Sequence, residues 1–237
     1  MEIEKGIEIT NLGLFIKDKK ILIISDLHLG QEELIHKRGF SFPLDQFKLI
    51  KDKIILFLKE LNPKIVVITG DFKHEFGSIS GTEWSKISKL IDIIKEKSKL
   101  IIIKGNHDAI LKPIAERKEI DIKDYYKIND IYICHGDLIP QNKDFTASKS
   151  IIIGHEHPSI TLQKGSRREI YRCFLKGKYK NKKLIVMPSL NPISTGSDIL
   201  KEKLLSPFLQ QNLDNFEVFI VENKIYYFGK VKDIKRL

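Results

Sequence analysis

The chain has 237 residues, 42% hydrophobic and 30% charged, so it can bury a substantial core, and a disordered or low-complexity polypeptide is excluded. No run of about 18 apolar residues occurs, which argues against a membrane-spanning helix, and the opening Met1-Glu2-Ile3-Glu4-Lys5 lacks the basic-then-apolar pattern of a secretory signal. A net charge of +10 and a pI near 9.3 admit a polyanionic partner such as nucleic acid, yet Lys and Ile are used heavily throughout, so compositional bias is an equal reading.

In chain order, Ile7 to Ile24 reads as two short strands and then a buried one, Ile21-Leu22-Ile23-Ile24, whose continuous apolar run suits a strand covered on both faces. Phe47, Ile50, Ile54, Leu58 and Leu61 recur at helical spacing, and Asn62-Pro63 stops that helix. Ile65 to Ile68 is a second buried strand. Thr82 is placed to cap a helix with Trp84, Ile87, Leu90, Ile91 and Ile94 on one stripe. Ile101–Ile103, Ile131–Ile133 and Ile151–Ile153 are the third, fourth and fifth strands. Later, Tyr171 to Leu175 and Leu184 to Met187 flank a Lys-rich turn, which suggests a hairpin. Glu217 to Val221 and Ile225 to Phe228 suggest another. Gly196 to Gln211 reads as a loop with a short helix. Without repeats or a linker, residues 1–237 are expected to form one domain with helices packed outside sheets. Cys134 and Cys173 sit in apolar runs with no CxxC partner, so a disulfide framework is not expected and a reducing, cytoplasmic location is.

Each of the five buried strands runs directly into a polar cluster: Asp26-Leu27-His28, Gly70-Asp71, Gly105-Asn106-His107-Asp108, His135-Gly136-Asp137 and Gly154-His155-Glu156-His157-Pro158. In layered α/β folds ligands bind beyond the carboxyl ends of strands, so the clusters point to one rim. Imidazole nitrogen and carboxylate oxygen suit Mn, Fe, Zn and similar ions. In an extended segment Asp26 and His28 face the same way and can share an ion. So can His155 and His157, unless a loop conformation sends them to different ions. The glycines before Asp71, Asn106 and His155 suit sharp turns and close backbone approach. Five of the seven histidines lie in these clusters, too many to read as unrelated surface or core histidines. Without a thiolate ligand the pattern does not fit a structural zinc knot, and without a helical Glu-x-x-His pair it does not fit a ferritin-like bundle.

In this order, D-x-H, G-D, G-N-H-D, H and G-H-x-H closely resemble the calcineurin-like metallophosphoesterase superfamily. Asp26-Leu27-His28-Leu29-Gly30, Gly70 to Phe76, Gly154 to Pro158 and Cys173-Phe174-Leu175 resemble more narrowly the small SbcD-related (ICC-like) phosphoesterases. The resemblance implies a four-layer α/β sandwich of two packed mixed sheets flanked by helices. It implies two divalent ions, Mn²⁺ foremost with Fe, Zn or Ni as alternatives. Asp26, His28 and His157 would hold one ion, Asn106, His135 and His155 the other, with Asp71 bridging and His107 a non-ligand catalytic histidine. The implied reaction is phosphodiester hydrolysis by in-line attack of a hydroxide held between the ions. SbcD-type nucleases continue into a DNA-capping domain, and this chain is expected to lack one.

Other residues are read more modestly. Lys73 and His74 are expected to line the pocket rather than an exposed loop. His36 is read as solvated. Asp108 and Asp137 are expected to orient neighbouring groups, and Glu156 to point away from its flanking histidines. Lys164 to Lys183 holds nine Lys/Arg and one Glu, either a phosphate-tracking hairpin or a solvated one whose charge blocks edge pairing. The function expected is a nuclease acting on DNA or RNA. The rivals are a phosphoesterase for a nucleotide or other small molecule and, because this fold can lose its chemistry, a protein-binding scaffold.

Overall fold

The computed structural model describes residues 1–37, 39, 44–74, 81–108 and 112–235. A first sheet takes its seven strands in chain order: β1 (Glu2–Glu4), β2 (Ile7–Thr10), β3 (Gly13–Ile16), β4 (Ile21–Ile24), β5 (Ile65–Thr69), β6 (Lys99–Ile103) and β7 (Asp121–Lys123). The first four pair antiparallel, and β4 to β7 run parallel. Parallel pairing requires crossovers. These carry α1 (Gln31–Lys37) and α2 (Gln46–Leu61), then α3 (Gly81–Lys95), then α4 (Lys112–Lys118). Helix α2 starts where the Asp45 carboxylate accepts the Lys48 amide (2.8 Å) and ends at Asn62 in the left-handed region. It buries Ile50, Ile54, Phe57 and Leu58. Thr82 does not cap α3: the helix already includes Gly81, and the Thr82 hydroxyl lies in its first turn, 3.4 Å from Glu33 Oε2.

The second sheet has nine strands: β8 (Tyr125–Ile128), β9 (Ile131–Cys134), β10 (Ser150–Ile153), β11 (Pro158–Lys164), β12 (Arg167–Tyr179), β13 (Lys182–Val186), β14 (Ser197–Asp198), β15 (Glu217–Val221) and β16 (Ile225–Lys230). Its order is β14-β11-β12-β13-β10-β9-β8, with β15 also beside β12 and β16 beside β15. Strand alternation divides its side chains between two cores. Ile133, Ile152, Phe174, Ile185 and Phe219 join the core shared with the first sheet. Their neighbours Cys134, Ile153, Cys173, Val186 and Val218 face the other way, under Phe145 of α5 (Lys143–Ala147), Phe208 of a 3₁₀ turn (Pro207–Leu209) and Ile234 of α6 (Val231–Ile234). Two mixed sheets packed face to face with helices outside are the architecture expected from the sequence.

The Lys-rich segment expected as a turn is mostly strand. β12 and β13 pair from Leu175↔Val186 to Tyr179↔Lys182, and only residues 180 and 181 separate them. Lys176 and Lys178 alternate with Gly177, where an added Cβ would lie 2.5 Å from the Phe216 ring, so the charges mark a solvated strand face.

Candidate metal centre

Parallel strands β4, β5 and β6 of one sheet and β9 and β10 of the other release their chains at one rim, and the five polar clusters meet there. The geometry of the loops differs from the extended chain expected. Asp26, His28, Asp71, His155 and His157 all adopt positive φ, between 44° and 65°. Each such residue costs on the order of 1 kcal/mol, and such strain concentrates at functional sites. Asp26 and His28 still face one another, but His155 and His157 part to opposite sides. Glycine is required next to these residues. A Cβ on Gly154 would lie 2.0 Å from Ser25 Oγ and 2.5 Å from Asp26 Oδ2, and one on Gly105 would lie 2.3 Å from Asp71 Oδ1.

Asp26, His28 and His157 form the first cluster, their nearest donor atoms all within 4.8 Å of one another. One Asp26 oxygen, Oδ2, accepts the Ser25 hydroxyl and the His155 amide (3.1 Å), and Thr69 Oγ1 donates to Ser25 Oγ (2.8 Å). The other, Oδ1, lies 3.3 Å from His157 Nε2, yet both atoms are buried without a hydrogen-bond partner. His157 Nδ1 is 3.3 Å from Ser194 Oγ, so Nε2 is the nitrogen facing the carboxylate.

Asp71, His135 and His155 form the second cluster. His135 Nδ1 donates to the Thr69 carbonyl (3.0 Å), which leaves the lone pair on Nε2. Around that nitrogen stand Asn106 Oδ1 at 3.0 Å, His155 Nδ1 at 3.1 Å and Asp71 Oδ1 at 3.5 Å. The second Asp71 oxygen faces the first cluster, 3.7 Å from His28 Nε2. His28, Asp71 and His107 make a third grouping. There the His107 amide donates to Asp71 Oδ1 (3.0 Å), its Nε2 is 3.9 Å from Asp71 Oδ2, and its Nδ1 is held by the His74 carbonyl.

Burial drives the imidazoles towards the neutral form that ligates metals: His28 is pushed down to about 3, His155 to about 4, and His107 below its ordinary value. Asp71 is pushed up to about 7, first by burial and then by the charge of Asp26. Burial alone would also raise Asp26, but His157, His135 and His28 hold its carboxyl well below the usual range. Burial alone would lower His135, and Asp26 with Asp71 more than offsets it. Two orphaned buried donor atoms, the neutral imidazoles of His28 and His155 and a carboxylate short of countercharge at Asp71 are what a multivalent cation would complete, so these residues fit the expected metals.

The neighbouring residues divide. Asp108 braces the loops as expected, accepting the amides of Phe72 (2.9 Å), Lys73 (3.3 Å) and Gly105 (3.0 Å). Asp137 acts through charge, adding to the rise at His135 and opposing the fall at His155. Glu156 does point away: it is buried and accepts the amides of Leu205 and Ser206 (2.8 and 2.7 Å). His36 is exposed, 3.7 Å from Glu32. His74 joins the site, with Nδ1 3.4 Å from His28 Nδ1 and its ring stacked on His107. Lys73 does not line the pocket. It is fully buried, 3.7 Å from Glu83 of α3. Glu75 and Phe76 of the narrower motif lie outside the described residues. Of the basic hairpin, Arg167 pairs with Glu169 (2.6 Å) and Arg172 donates to the carbonyls of Ser189 (3.5 Å) and Asn191 (3.0 Å).

The loop held by Arg172 contributes residues that the sequence reading missed. Ser189 Oγ donates to the Asp26 carbonyl (2.6 Å), and Asn191 accepts from Gln46 Nε2 (3.0 Å), which also donates to the His28 carbonyl (2.8 Å). The signal was available: Ser189 and Asn191 follow an apolar strand directly, as the five recognised clusters do.

A family model described as calcineurin-like phosphoesterase matches residues 19–219. No curated protein sequence matches the chain. Among solved structures, nuclease MPE of Pseudomonas putida superposes with a TM-score of 0.67 at 15% identity, over 92% of each chain, a likeness of fold. Yfce, a phosphoesterase from E. coli, gives 0.37 at 14% identity over 88% of this chain and 92% of its own. The match runs from β4 into β15 and takes in all five strand-end clusters, and with it this chain belongs to the calcineurin-like phosphoesterases, as a metal-dependent phosphoester hydrolase.

Proposed function

We propose that the protein is a dinuclear phosphodiesterase whose substrate is nucleic acid, making it a nuclease on DNA or RNA. Asp26, His28 and His157 would hold one ion and Asn106, His135 and His155 the other, with Asp71 between them. One observation carries this reading: the two oxygens of Asp71 face different clusters, one towards His28 and one towards His135. Bound there, a pair of divalent ions, Mn²⁺ foremost, would supply Lewis-acid charge and a water of lowered pKa. The chain's own residues do the rest. Asp26 is fixed by Ser25 and the His155 amide, and His135 by the Thr69 carbonyl, so the donors are preorganised. His107, oriented by the His74 carbonyl, presents Nε2 to the cleft, where it would exchange a proton or hydrogen bond with a phosphoryl or leaving oxygen.

Nucleic acid is supported by the charge of +10 and by the fold shared with a protein titled a nuclease. A small-molecule diester is the second reading, favoured by Arg167 and Arg172 being engaged within the protein. The experiment is a parallel Mn²⁺ assay on a chromogenic phosphodiester, a phosphomonoester, single-stranded DNA, duplex DNA and RNA. Diesters should be cleaved faster than monoesters, and nucleic-acid binding should weaken steeply with salt. Cleavage of the small diester without binding of any polymer at low salt would favour the second reading, and no hydrolysis at all would leave the scaffold. We also read residues 1–237 as one domain, working in a reducing cytoplasm, where the buried free thiols Cys134 and Cys173 are stable.

A further inference from the structure

Beside the metal-site cleft is a second hollow of about 530 Å³, and the two meet at Asn106. His135, which stands in the second ligand cluster, also lines it. Its remaining surface differs in kind from the cleft. Tyr125 lies stacked on the buried Tyr132, centroids 4.6 Å apart and planes 14° from parallel. Their polar tips are already engaged, Tyr125 donating to Asp144 Oδ2 (2.7 Å) and Tyr132 accepting from Asn142 Nδ2 (2.8 Å). The rings are therefore fixed, and the half-buried Tyr125, backed by Tyr132, offers aromatic surface. Ile139 adds an apolar wall, and Leu138, 72% exposed, is a large apolar side chain left in water at this hollow. Lys104, Asp124 and Asp137 are the Lys and Asp side chains of the lining.

We propose that this hollow is a base subsite, receiving the purine or pyrimidine of a nucleotide whose phosphate sits at the Asp71 centre. The inference rests on the phosphodiesterase reading above and names the substituent carried on the phosphorus. A phosphate at the ligand clusters must send one ester arm past Asn106 and His135, the residues from which the hollow opens. A second phosphate does not suit a space lined by the carboxylates of Asp124 and Asp137 as well as by tyrosine and aliphatic side chains. A flat, partly polar ring does, and the volume is that of a small-ligand site able to take one nucleoside. Stacking on an aromatic face accepts any base, so the subsite would favour nucleotides without reading sequence.

The test is binding to the full-length, Mn²⁺-loaded protein by calorimetry, comparing deoxyadenosine 5′-monophosphate with 2-deoxyribose 5-phosphate and octyl phosphate. The nucleotide should bind about tenfold or more tightly than the base-free sugar phosphate. Ile139→Asp should bring that ratio close to one. Leu138→Ala, at a position too exposed to threaten the fold, should lower it about twofold or more. Equal affinity for nucleotide and sugar phosphate in the unaltered protein overturns the proposal. So does octyl phosphate binding as well as the nucleotide, no detectable nucleotide binding at millimolar concentration, or a ratio unchanged by Leu138→Ala. The readout is independent of turnover. Diester cleavage without tighter binding of the nucleotide than of the sugar phosphate would sink the subsite alone, and tighter nucleotide binding without diester cleavage would sink the phosphodiesterase reading alone.

Discussion

In the proposed site Asp71 would serve the metal pair at the expense of the metal-free fold. It is buried with an oxygen turned to each histidine cluster, and with Asp26 and Asp108 nearby its carboxyl is pushed up to about 7. A carboxyl whose folded pKa is raised contributes stability that is full below about 3.8 and is lost as pH rises through about 7. Asp71→Asn should therefore melt higher than the unaltered protein when both are metal-free at pH 8, by roughly 5 °C, with the gap closing towards pH 4. The same variant should bind fewer than two Mn²⁺ per chain by elemental analysis. A metal-free variant that melts lower at pH 8 would show that Asp71 stabilises the empty site. His107 makes a second test at this scale. His107→Gln should keep both ions and the fold while kcat falls by about 10²-fold or more and KM changes little. Its grouping with His28 and Asp71 defines the opposing result: loss of metal in this variant would make His107 a ligand.

At the scale of elements, the site is made by where strands end and how closely their loops approach. Gly154 follows β10 with no space for a side chain, its would-be Cβ meeting Ser25 Oγ, Asp26 Oδ2 and Thr69 Oγ1. Gly154→Ala should leave a folded protein weakened by about 1–3 kcal/mol, with Asp26 displaced and Mn²⁺ affinity reduced. Unchanged metal titration in that variant would mean that Asp26 tolerates the shift. The buried parallel strands were legible because a strand covered on both faces is an unbroken apolar run, and the polar cluster after each was legible because nothing else explains it. Other features were not. β7 is Asp-Ile-Lys, with one apolar residue to mark it, and β12 hides its length under lysines on a solvated face. The parting of His155 from His157, which the family resemblance implied, depends on left-handed backbone at both, which residue spacing alone does not encode. Arg172 read as one more surface cation until its contacts with Ser189 and Asn191 were visible. Arg172→Gln should consequently lower thermal stability and activity on a small diester together, whereas Arg168→Gln should leave both nearly unchanged. The reverse order would return Arg172 to the substrate.

Across the whole molecule, the two sheets bring candidate ligands from both halves of the chain to one rim, so metal occupancy and global stability should be linked. Asp26, His28, Asp71 and Asn106 come from the first sheet, His135, His155 and His157 from the second. An ion bound between them binds the folded state only, and at about 100 times its Kd it adds roughly 2.7 kcal/mol. That corresponds to a Tm rise of about 5–10 °C for a chain of this size. The pH dependence follows from the ligands. His28 and His155, pushed down to about 3 and 4, contribute stability present above about 6.5 and lost as pH falls through those values. Asp71 works in the opposite sense and has lost its contribution once pH passes about 7. The chelated protein should thus weaken on both sides, in acid through the histidines and towards pH 8 through Asp71. In the proposed site Mn²⁺ would compete with protons for these groups and supply the countercharge that Asp71 lacks. The difference in Tm between Mn²⁺-loaded and chelated protein should therefore widen from pH 5.5 to pH 8, and most of that widening should vanish in Asp71→Asn. Scanning calorimetry at the two pH values decides it. A difference that is constant with pH would mean that proton competition at these ligands does not govern metal binding, and a Tm indifferent to chelation would mean that no ion joins the two sheets.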